Sequence, residues 1–249
     1  PTKHEPFFPM PDGFKHVAWG DLDAMRVAVD GSVAAVLIEA VQGEGGVNPA
    51  TTEYLQGIRE LCDETGALMM VDEIQTGFAR TGRWFGFEHS GVSPDVVTLA
   101  KAMGNGMPVG ACWARADVAA VFEPGDHGST YSGTAIATAA VNATIDEMIR
   151  IDAPAMATAT GAKLTAGLLE LDGVVGVRGY GLMLGVELAD GLDARVAYGD
   201  LLDAGLIVNA VNPSTIRLIP PINISTAEVN EAVTMIGVAL AKQRSAADS

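Results

Sequence analysis

Two charged residues that each follow a short apolar run could together form a covalent catalytic site. The run from Leu68 to Val71 ends at Asp72, and the run from Val96 to Ala100 ends at Lys101. Apolar runs this short are typical of buried parallel strands, and open α/β sheets bind ligands at the carboxyl ends of their strands. We therefore expect a carboxylate and an amine at one sheet edge, which suits covalent amine chemistry with an acid partner.

This pair of residues matches the way proteins hold pyridoxal phosphate, with a lysine on the aldehyde and an aspartate on the pyridinium nitrogen. Partial burial at a strand end would lower the pKa of Lys101 and make its neutral amine available. Position alone leaves other interpretations open. Lys101 could leave the sheet toward solvent, and Asp72 could bind loop amides.

Three further groups could bind a substrate or a phosphate. Gly128, Ser129 and Thr130 offer hydroxyls and close backbone approach to a phosphate, although an ordinary turn has the same composition. Arg217 lies among apolar residues and needs a carboxylate partner, either a ligand or a structural ion pair. Glu44 lies in a Gly-rich loop and is either a solvated charge or a mobile group.

The first part of the chain is predicted to contain a βαβ unit and further strands. Asp21 and Gly31 delimit a short helix, and Asn48-Pro49 is predicted to start a longer helix that Gly66 stops. The predicted strands are Val33 to Ala40, Ala67 to Ile74, Val96 to Lys101 and Val109 to Ala114. Parallel neighbours connected by a helix predict an α/β sheet.

The second part of the chain has a different pattern. Two helices are predicted from about Ala135 to Arg150 and from Pro154 to near Leu171, and Ser225 with Glu228 forms a capping box before a final helix. The predicted strands are Val174 to Arg178, Leu182 to Leu188, Ile207 to Val211 and Ile216 to Ile219. We place a domain boundary near Arg150, so that residues 1–150 are part of a large domain and residues 151–249 are a small α+β domain.

Composition limits the classes of partner. The 249 residues carry 15 basic and 31 acidic side chains, a formal charge of −16, which disfavours nucleic-acid binding. No apolar run is long enough to predict a membrane span, and the His and Cys spacing predicts no metal site. Cys62 and Cys112 are predicted to be reduced core residues of a cytoplasmic protein. A start at Pro1 suggests a fragment.

Taken together, these residues resemble a known family. The matching strings are Ile38-Glu39-Ala40-Val41-Gln42-Gly43-Glu44-Gly45-Gly46-Val47, Asp72-Glu73-Ile74-Gln75-Thr76-Gly77, Leu99-Ala100-Lys101-Ala102-Met103-Gly104, His127-Gly128-Ser129-Thr130 and Arg217-Leu218. The sequence resembles the class III pyridoxal-phosphate-dependent aminotransferases over nearly its whole length, most closely those that act on acetylornithine. This resemblance implies fold type I, as in aspartate aminotransferase: a large domain with a mostly parallel sheet and a smaller C-terminal α+β domain.

The resemblance also implies roles for individual residues. Lys101 would be the Schiff-base lysine and proton shuttle, and Asp72 would pair with the pyridine nitrogen. Ile74 would pack on the ring and Gln75 would bind its 3-hydroxyl. The residues implied to bind phosphate and substrate are Ser129 and Thr130 for a phosphate, and Glu44 and Arg217 for the substrate. Thr130 would reach the cofactor of a neighbouring subunit, which implies a homodimer with shared active sites.

The implied activity is transfer of an amino group from N2-acetylornithine to 2-oxoglutarate in arginine biosynthesis, by a ping-pong cycle. Alternatives are other ω-amino donors (ornithine, succinylornithine or 4-aminobutyrate), an aminomutase, or a non-catalytic protein on this fold. An arginine for a dicarboxylate argues against the aminomutase. Family members carry further residues at the amino end, so we expect this segment alone to be inactive.

Overall fold

The computed structural model describes residues 4–247 and contains two four-stranded sheets and one short hairpin. The strands are β1 (Ala35–Glu39), β2 (Val41–Gln42), β3 (Asn48–Pro49), β4 (Leu68–Asp72), β5 (Val96–Leu99), β6 (Ala111–Ala114), β7 (Val174–Tyr180), β8 (Met183–Leu188), β9 (Asn209–Asn212) and β10 (Thr215–Leu218). The mixed α/β architecture with a parallel sheet confirms the predicted fold class.

Helices cover the sheets and connect their strands. The α-helices are α1 (Leu22–Ala28), α2 (Thr52–Thr65), α3 (Ala116–Ala119), α4 (Ala135–Arg150), α5 (Ala153–Leu169), α6 (Ala194–Asp203) and α7 (Thr226–Ala247). Short 3₁₀ turns are formed by Glu5–Phe7, Gly86–His89 and Lys101–Gly104. Among the described residues, no helix is long and apolar enough to cross a membrane.

The first sheet has the order β1-β4-β5-β6, with β1, β4 and β5 parallel and β6 antiparallel at the edge. Its register places Glu39 beside Asp72 and Asp72 beside Thr98. The carboxyl ends of three neighbouring strands therefore carry polar side chains at the same edge. All four strands of this sheet are shorter than predicted, and the ends that concern the candidate site are those of β4, at Asp72, and of β5, at Leu99.

Helix α2 joins β1 to β4 and buries its apolar face on both strands. Tyr54, Ile58 and Cys62 are buried in this core, and Gly66 ends the helix in the left-handed conformation, as predicted. The predicted helix start at Asn48-Pro49 is wrong. These residues pair with Gln42 and Val41 as a hairpin, and the helix begins after Thr51, whose hydroxyl accepts the Tyr54 N–H at 3.1 Å.

A buried aspartate fixes the start of β5. Asp95 accepts hydrogen bonds from Arg59 at 2.8 Å and from the Met69 N–H at 2.7 Å, and Arg115 pairs with its other oxygen at 2.7 Å. These partners lie on α2, β4 and the end of β6. The interaction therefore locks the strand that leads to Lys101 into the sheet.

The second sheet is antiparallel throughout, in the order β7-β8-β10-β9. Its core is formed by β8, β10 and the inner faces of α5, α6 and α7. The capping box is confirmed, because the Ser225 N–H donates to Glu228 at 2.8 Å and the Glu228 N–H donates to the Ser225 hydroxyl at 3.2 Å. This sheet positions Arg217 in β10.

The segment after β4 docks against the second sheet. The Leu182 N–H donates to the Arg80 carbonyl at 3.0 Å, and the Arg80 guanidinium donates to the carbonyls of Leu182 and Pro220. Burial lowers the pKa of Arg80 to about 10, so it stays cationic at neutral pH. His89 stacks on Tyr180 with ring centroids 4.3 Å apart. The two sheets therefore meet along the segment that follows Asp72.

The cysteines differ in environment. Cys62 is fully buried on α2, as predicted, and burial raises the pKa of its thiol to about 11. Cys112 is exposed, so its predicted core position is wrong. Cys112 lies on β6, the edge strand of the first sheet, which pairs with β5 alone.

Asp95→Ala should lower the free energy of unfolding of the full-length protein by about 3 kcal/mol, because it leaves the mostly buried Arg59 without its buried partner. Denaturant titration measures this loss. The matched control is Asp23→Ala, which removes an exposed carboxylate from a surface pair with Arg26 and should leave stability nearly unchanged. Equal effects of the two changes would contradict the role of Asp95.

Candidate active site

Asp72 and Lys101 lie at the same edge of the first sheet. Asp72 is the last residue of β4, and Lys101 comes two residues after the end of the neighbouring strand β5. Glu39, at the end of β1, is close enough to interact with both charges. Burial raises the pKa of Glu39, the nearby Asp72 carboxylate raises it further and Lys101 opposes them. Two carboxylates and one amine therefore share this edge.

Lys101 turns away from the strand direction. It opens a 3₁₀ turn and has φ 48°, in the left-handed region. Non-glycine residues rarely adopt this conformation, and backbone strain of this kind concentrates at functional sites. The Lys101 side chain is exposed, so the predicted partial desolvation is wrong for this chain. The reason is that the chain leaves the sheet before Lys101.

A tight turn after Asp72 places Ile74 and Gln75. The Asp72 carboxylate accepts the Ile74 N–H at 2.9 Å, which is the loop-amide interaction considered for Asp72 from its position. Ile74 and Gln75 are both partly exposed. Gly43 packs directly on the Gln75 amide, since a Cβ at Gly43 would lie 2.4 Å from the Gln75 Nε2. Glycine at position 43 is therefore required for this placement of Gln75.

Glu73 supports the same turn from inside the protein. It is fully buried and accepts hydrogen bonds from the Thr76 hydroxyl at 2.6 Å, the Gly86 N–H at 2.8 Å and the Phe87 N–H at 2.9 Å. Burial raises the pKa of Glu73 and these three bonds lower it. Sequence reasoning assigned Glu73 no role. The burial of Glu73 could be read from the alternation of side chains along β4, which turns Glu73 to the opposite side from Asp72.

Arg217 connects the second sheet to the first. Its Nη1 lies 2.8 Å from the Glu44 carboxylate and 3.1 Å from the Gln75 Oε1, and its Nη2 donates to the Asn209 side chain at 3.3 Å. The expectation that Arg217 needs a carboxylate is confirmed, and the partner is Glu44. The Arg217 side chain is only 11% exposed, whereas Glu44 is 64% exposed.

Ser129 and Thr130 lie in the segment that joins α3 to α4. Both are exposed, and the Ser129 hydroxyl accepts the Tyr131 N–H at 3.4 Å. In the part of the chain that the structure describes, no hydrogen bond joins either hydroxyl to Lys101 or Asp72. The structure thus brings together six of the eight predicted site residues around one sheet edge, whereas these two lie exposed in the segment that leads into α4.

The side chains at this edge have the chemistry that pyridoxal phosphate requires. A carboxylate at the end of β4, an amine two residues after β5 and a carboxamide in the turn after β4 lie at this edge. A lysine and an acidic partner for the ring nitrogen are the groups with which proteins hold this cofactor. Two buried polar atoms beside them, the Thr98 Oγ1 and the Arg217 Nε, have no hydrogen-bond partner within residues 4–247. The same described residues contain no cluster of ligands for a metal ion.

Comparison with known proteins agrees with the chemistry of these side chains. Residues 3–240 match the family model described as Aminotransferase class-III. The chain belongs to the class-III aminotransferase family. Because the match includes both sheets, the family assignment rests on the whole fold and not on the site motifs alone.

Proteins similar in sequence include two acetylornithine aminotransferases. The protein of that name from Methanopyrus kandleri is 45% identical over 241 residues, which are 96% of this chain and 62% of the relative. The one from Bacillus subtilis is 43% identical over 94% of this chain and 62% of its own length. The chain therefore spans about three fifths of the length of these relatives.

Solved structures of aminotransferases share the fold. The ornithine aminotransferase of Toxoplasma gondii superposes with a TM-score of 0.90 at 33% identity, over 96% of this chain and 59% of that one. The N-acetylornithine aminotransferase of Stenotrophomonas maltophilia gives 0.86 at 33% identity, over 95% and 64%. The architecture of both sheets is thus shared with aminotransferases of known structure.

Glu73→Gln should destabilise the full-length protein by about 2 kcal/mol, because an amide nitrogen would replace one of two oxygens that accept hydrogen bonds from buried donors. Thermal and denaturant unfolding measure the loss. Glu64→Gln, on the exposed face of α2, is the control and should have little effect. A neutral Glu73→Gln would show that the buried carboxylate does not hold the turn.

Proposed function

We propose that the full-length protein is a pyridoxal-phosphate-dependent transaminase that moves an amino group from N2-acetylornithine to 2-oxoglutarate, a reaction of arginine biosynthesis. The observation that carries this proposal is Arg217, which reaches Glu44 and Gln75 above the sheet edge of Asp72 and Lys101. Relatives named acetylornithine aminotransferase at 40–45% identity support the substrate.

Four residues would hold the cofactor from this chain. The Lys101 amine would bind it covalently and would carry a proton between the substrate carbon and the cofactor carbon that lie on either side of the transferred nitrogen. The Asp72 carboxylate would accept a hydrogen bond from the protonated ring nitrogen, Ile74 would pack on one ring face, and Gln75 would donate to the ring hydroxyl. When bound, pyridoxal phosphate supplies an electron sink that accepts and returns the amino group.

Arg217 and Glu44 would let one pocket accept two substrates in turn. A guanidinium that is mostly buried needs a negative partner in every state of the site. Glu44 can leave it at little cost because the Glu44 side chain is largely exposed. A carboxylate of glutamate or 2-oxoglutarate would then take its place with the same charge-assisted geometry. With the acetylated donor, Glu44 would stay paired with Arg217.

The remaining parts of the proposal concern assembly. Residues 1–150 would form part of the large cofactor-binding domain, and residues 151–249 the small domain that supplies Arg217. Ser129 and Thr130 would bind the phosphate of a cofactor in a neighbouring subunit, which makes a homodimer necessary for a complete site. Their exposure to solvent supports this part of the proposal.

Lys101→Ala in the full-length protein should remove the absorption band of the lysine-bound cofactor and lower kcat by at least about 10³-fold, because the variant lacks the amine that forms this bond. Absorption spectra and single-turnover assays measure both effects. Lys163→Ala, on helix α5 away from the site, is the control. Unchanged turnover in Lys101→Ala would favour the non-catalytic alternative.

Donor profiling should show N2-acetylornithine as the preferred amine, with 2-oxoglutarate as acceptor. The measurement compares kcat/KM for acetylornithine, ornithine, succinylornithine and 4-aminobutyrate in the full-length protein. Robust use of 4-aminobutyrate without turnover of acetylornithine would refute the proposed donor while keeping the reaction class.

A further inference from the structure

The position of Glu44 depends on a short turn, residues 42–47, which we call the Glu44 turn. It connects strands β2 and β3, and Glu44 lies near its tip, exposed to solvent. Asn48 closes the turn by donating to the Gly45 carbonyl at 3.0 Å. Two charged residues outside the turn also contact its main chain, from opposite sides.

The first of these residues is Glu39, at the end of β1. Its carboxylate accepts the Gly43 N–H at 3.0 Å. Gly43 is in turn pressed against the Gln75 amide, where no side chain would fit. Glu39 therefore fixes the beginning of the Glu44 turn relative to the sheet edge that carries Asp72.

The second residue is Arg178, in β7 of the other sheet. Its Nε donates to the Gly46 carbonyl at 3.0 Å, its Nη2 donates to the Thr215 hydroxyl at 3.0 Å, and its Nη1 pairs with Glu187 at 2.6 Å. The planar fork of arginine fixes the directions of these three bonds relative to each other. Gly46 lies two residues after Glu44, and Thr215 lies two residues before Arg217. One guanidinium thus connects the Glu44 turn to the strand that carries Arg217.

The end of the turn is also held in a strained conformation. Val47 has φ 56°, which is rare for a β-branched residue. It is fully buried against Val41 and Met183. Such strain persists only where the surrounding structure enforces it, so the backbone of this turn is fixed by its neighbours.

We propose that Glu39 and Arg178 are positioning residues, which hold the Glu44 turn from its two ends at the distance where Glu44 pairs with Arg217. This inference rests on the proposed function, in which Glu44 neutralises Arg217 during one half-reaction and leaves it during the other. Neither positioning residue needs to touch a substrate. Their effect passes through the main chain of the turn.

Loosening either end should affect the two half-reactions unequally. If Glu44 is displaced, Arg217 keeps an uncompensated charge when the acetylated donor is bound, and that half-reaction weakens. The half-reaction with glutamate does not use the Glu44–Arg217 pair. It should proceed nearly as before, since the substrate carboxylate itself pairs with Arg217.

The test uses the full-length holoenzyme with Arg178→Lys, which keeps the charge but removes the fork. In Arg178→Lys, kcat/KM for acetylornithine should fall about 10- to 100-fold, as expected for misplacement of a binding group by about 1 Å. The value for glutamate should change less than about threefold. The dissociation constant of glutarate, a non-reacting dicarboxylate, should stay equal or decrease, because Glu44 competes less for Arg217.

Glu39→Gln is the second variant, and Arg150→Lys is the matched control. Glu39→Gln keeps an oxygen that can accept the Gly43 N–H and should give the same unequal effect with smaller size. Arg150 forms an exposed pair with Glu147 on α4, so Arg150→Lys should change neither half-reaction. Thermal unfolding of each variant shows whether the fold is retained.

Two results would overturn the inference: an equal loss in both half-reactions, as general destabilisation would produce, or no change in either variant. Failure of the proposed function would differ from both. If the proposed function is wrong, the unsubstituted protein itself lacks one of the two half-reactions. The exchange of Glu44 for a substrate carboxylate at Arg217 would then be refuted, and with it the role of Glu39 and Arg178.

Discussion

The Arg217 guanidinium is a charge that the second sheet cannot neutralise by itself. On β10 it is flanked by apolar residues, and its side chain is almost entirely buried. Asn209 on the neighbouring strand offers only an amide oxygen, and the compensating carboxylate is that of Glu44, in the turn of the β2-β3 hairpin. The contacts of Arg217 with Glu44 and Gln75 bring these two residues to β10. They place the candidate site at the junction of the two sheets.

The other charges of the site are arranged by strand geometry. Three strands of the first sheet end with polar side chains in register, which places Glu39, Asp72 and Thr98 side by side. Alternation along β4 then sends Glu73 into the interior, where three donors satisfy it. Two adjacent acidic residues thus have opposite tasks: one faces the site and the other holds the turn behind it.

Local patterns predicted most of the elements because these patterns report burial. The apolar runs before Asp72 and Lys101 marked β4 and β5, and the isolated arginine at 217 correctly predicted a carboxylate partner. The Glu44 contact came from the family resemblance and was confirmed as a contact. The roles of the site residues stay proposals.

Non-local pairing explains the errors. Asn48-Pro49 has a helix-start composition but pairs across a hairpin, and Lys101 follows a buried strand but leaves it through a turn. Cys112 lies in an apolar run whose strand is at the edge of its sheet. The roles of Glu39 and Arg178 depend on bonds to the main chain of a distant turn, and no side-chain pattern in the sequence encodes those bonds.

The arginines at the junction have a consequence for how the protein could vary. Arg80 and Arg178 bind main-chain carbonyls of Leu182, Pro220 and Gly46, and every residue type presents such a carbonyl. As far as these bonds are concerned, side chains at Leu182 and Pro220 can be exchanged as long as the backbone keeps its course. Substitutions of these two side chains therefore leave the hydrogen bonds between the sheets in place, and their cost is one of packing, as at the fully buried Leu182.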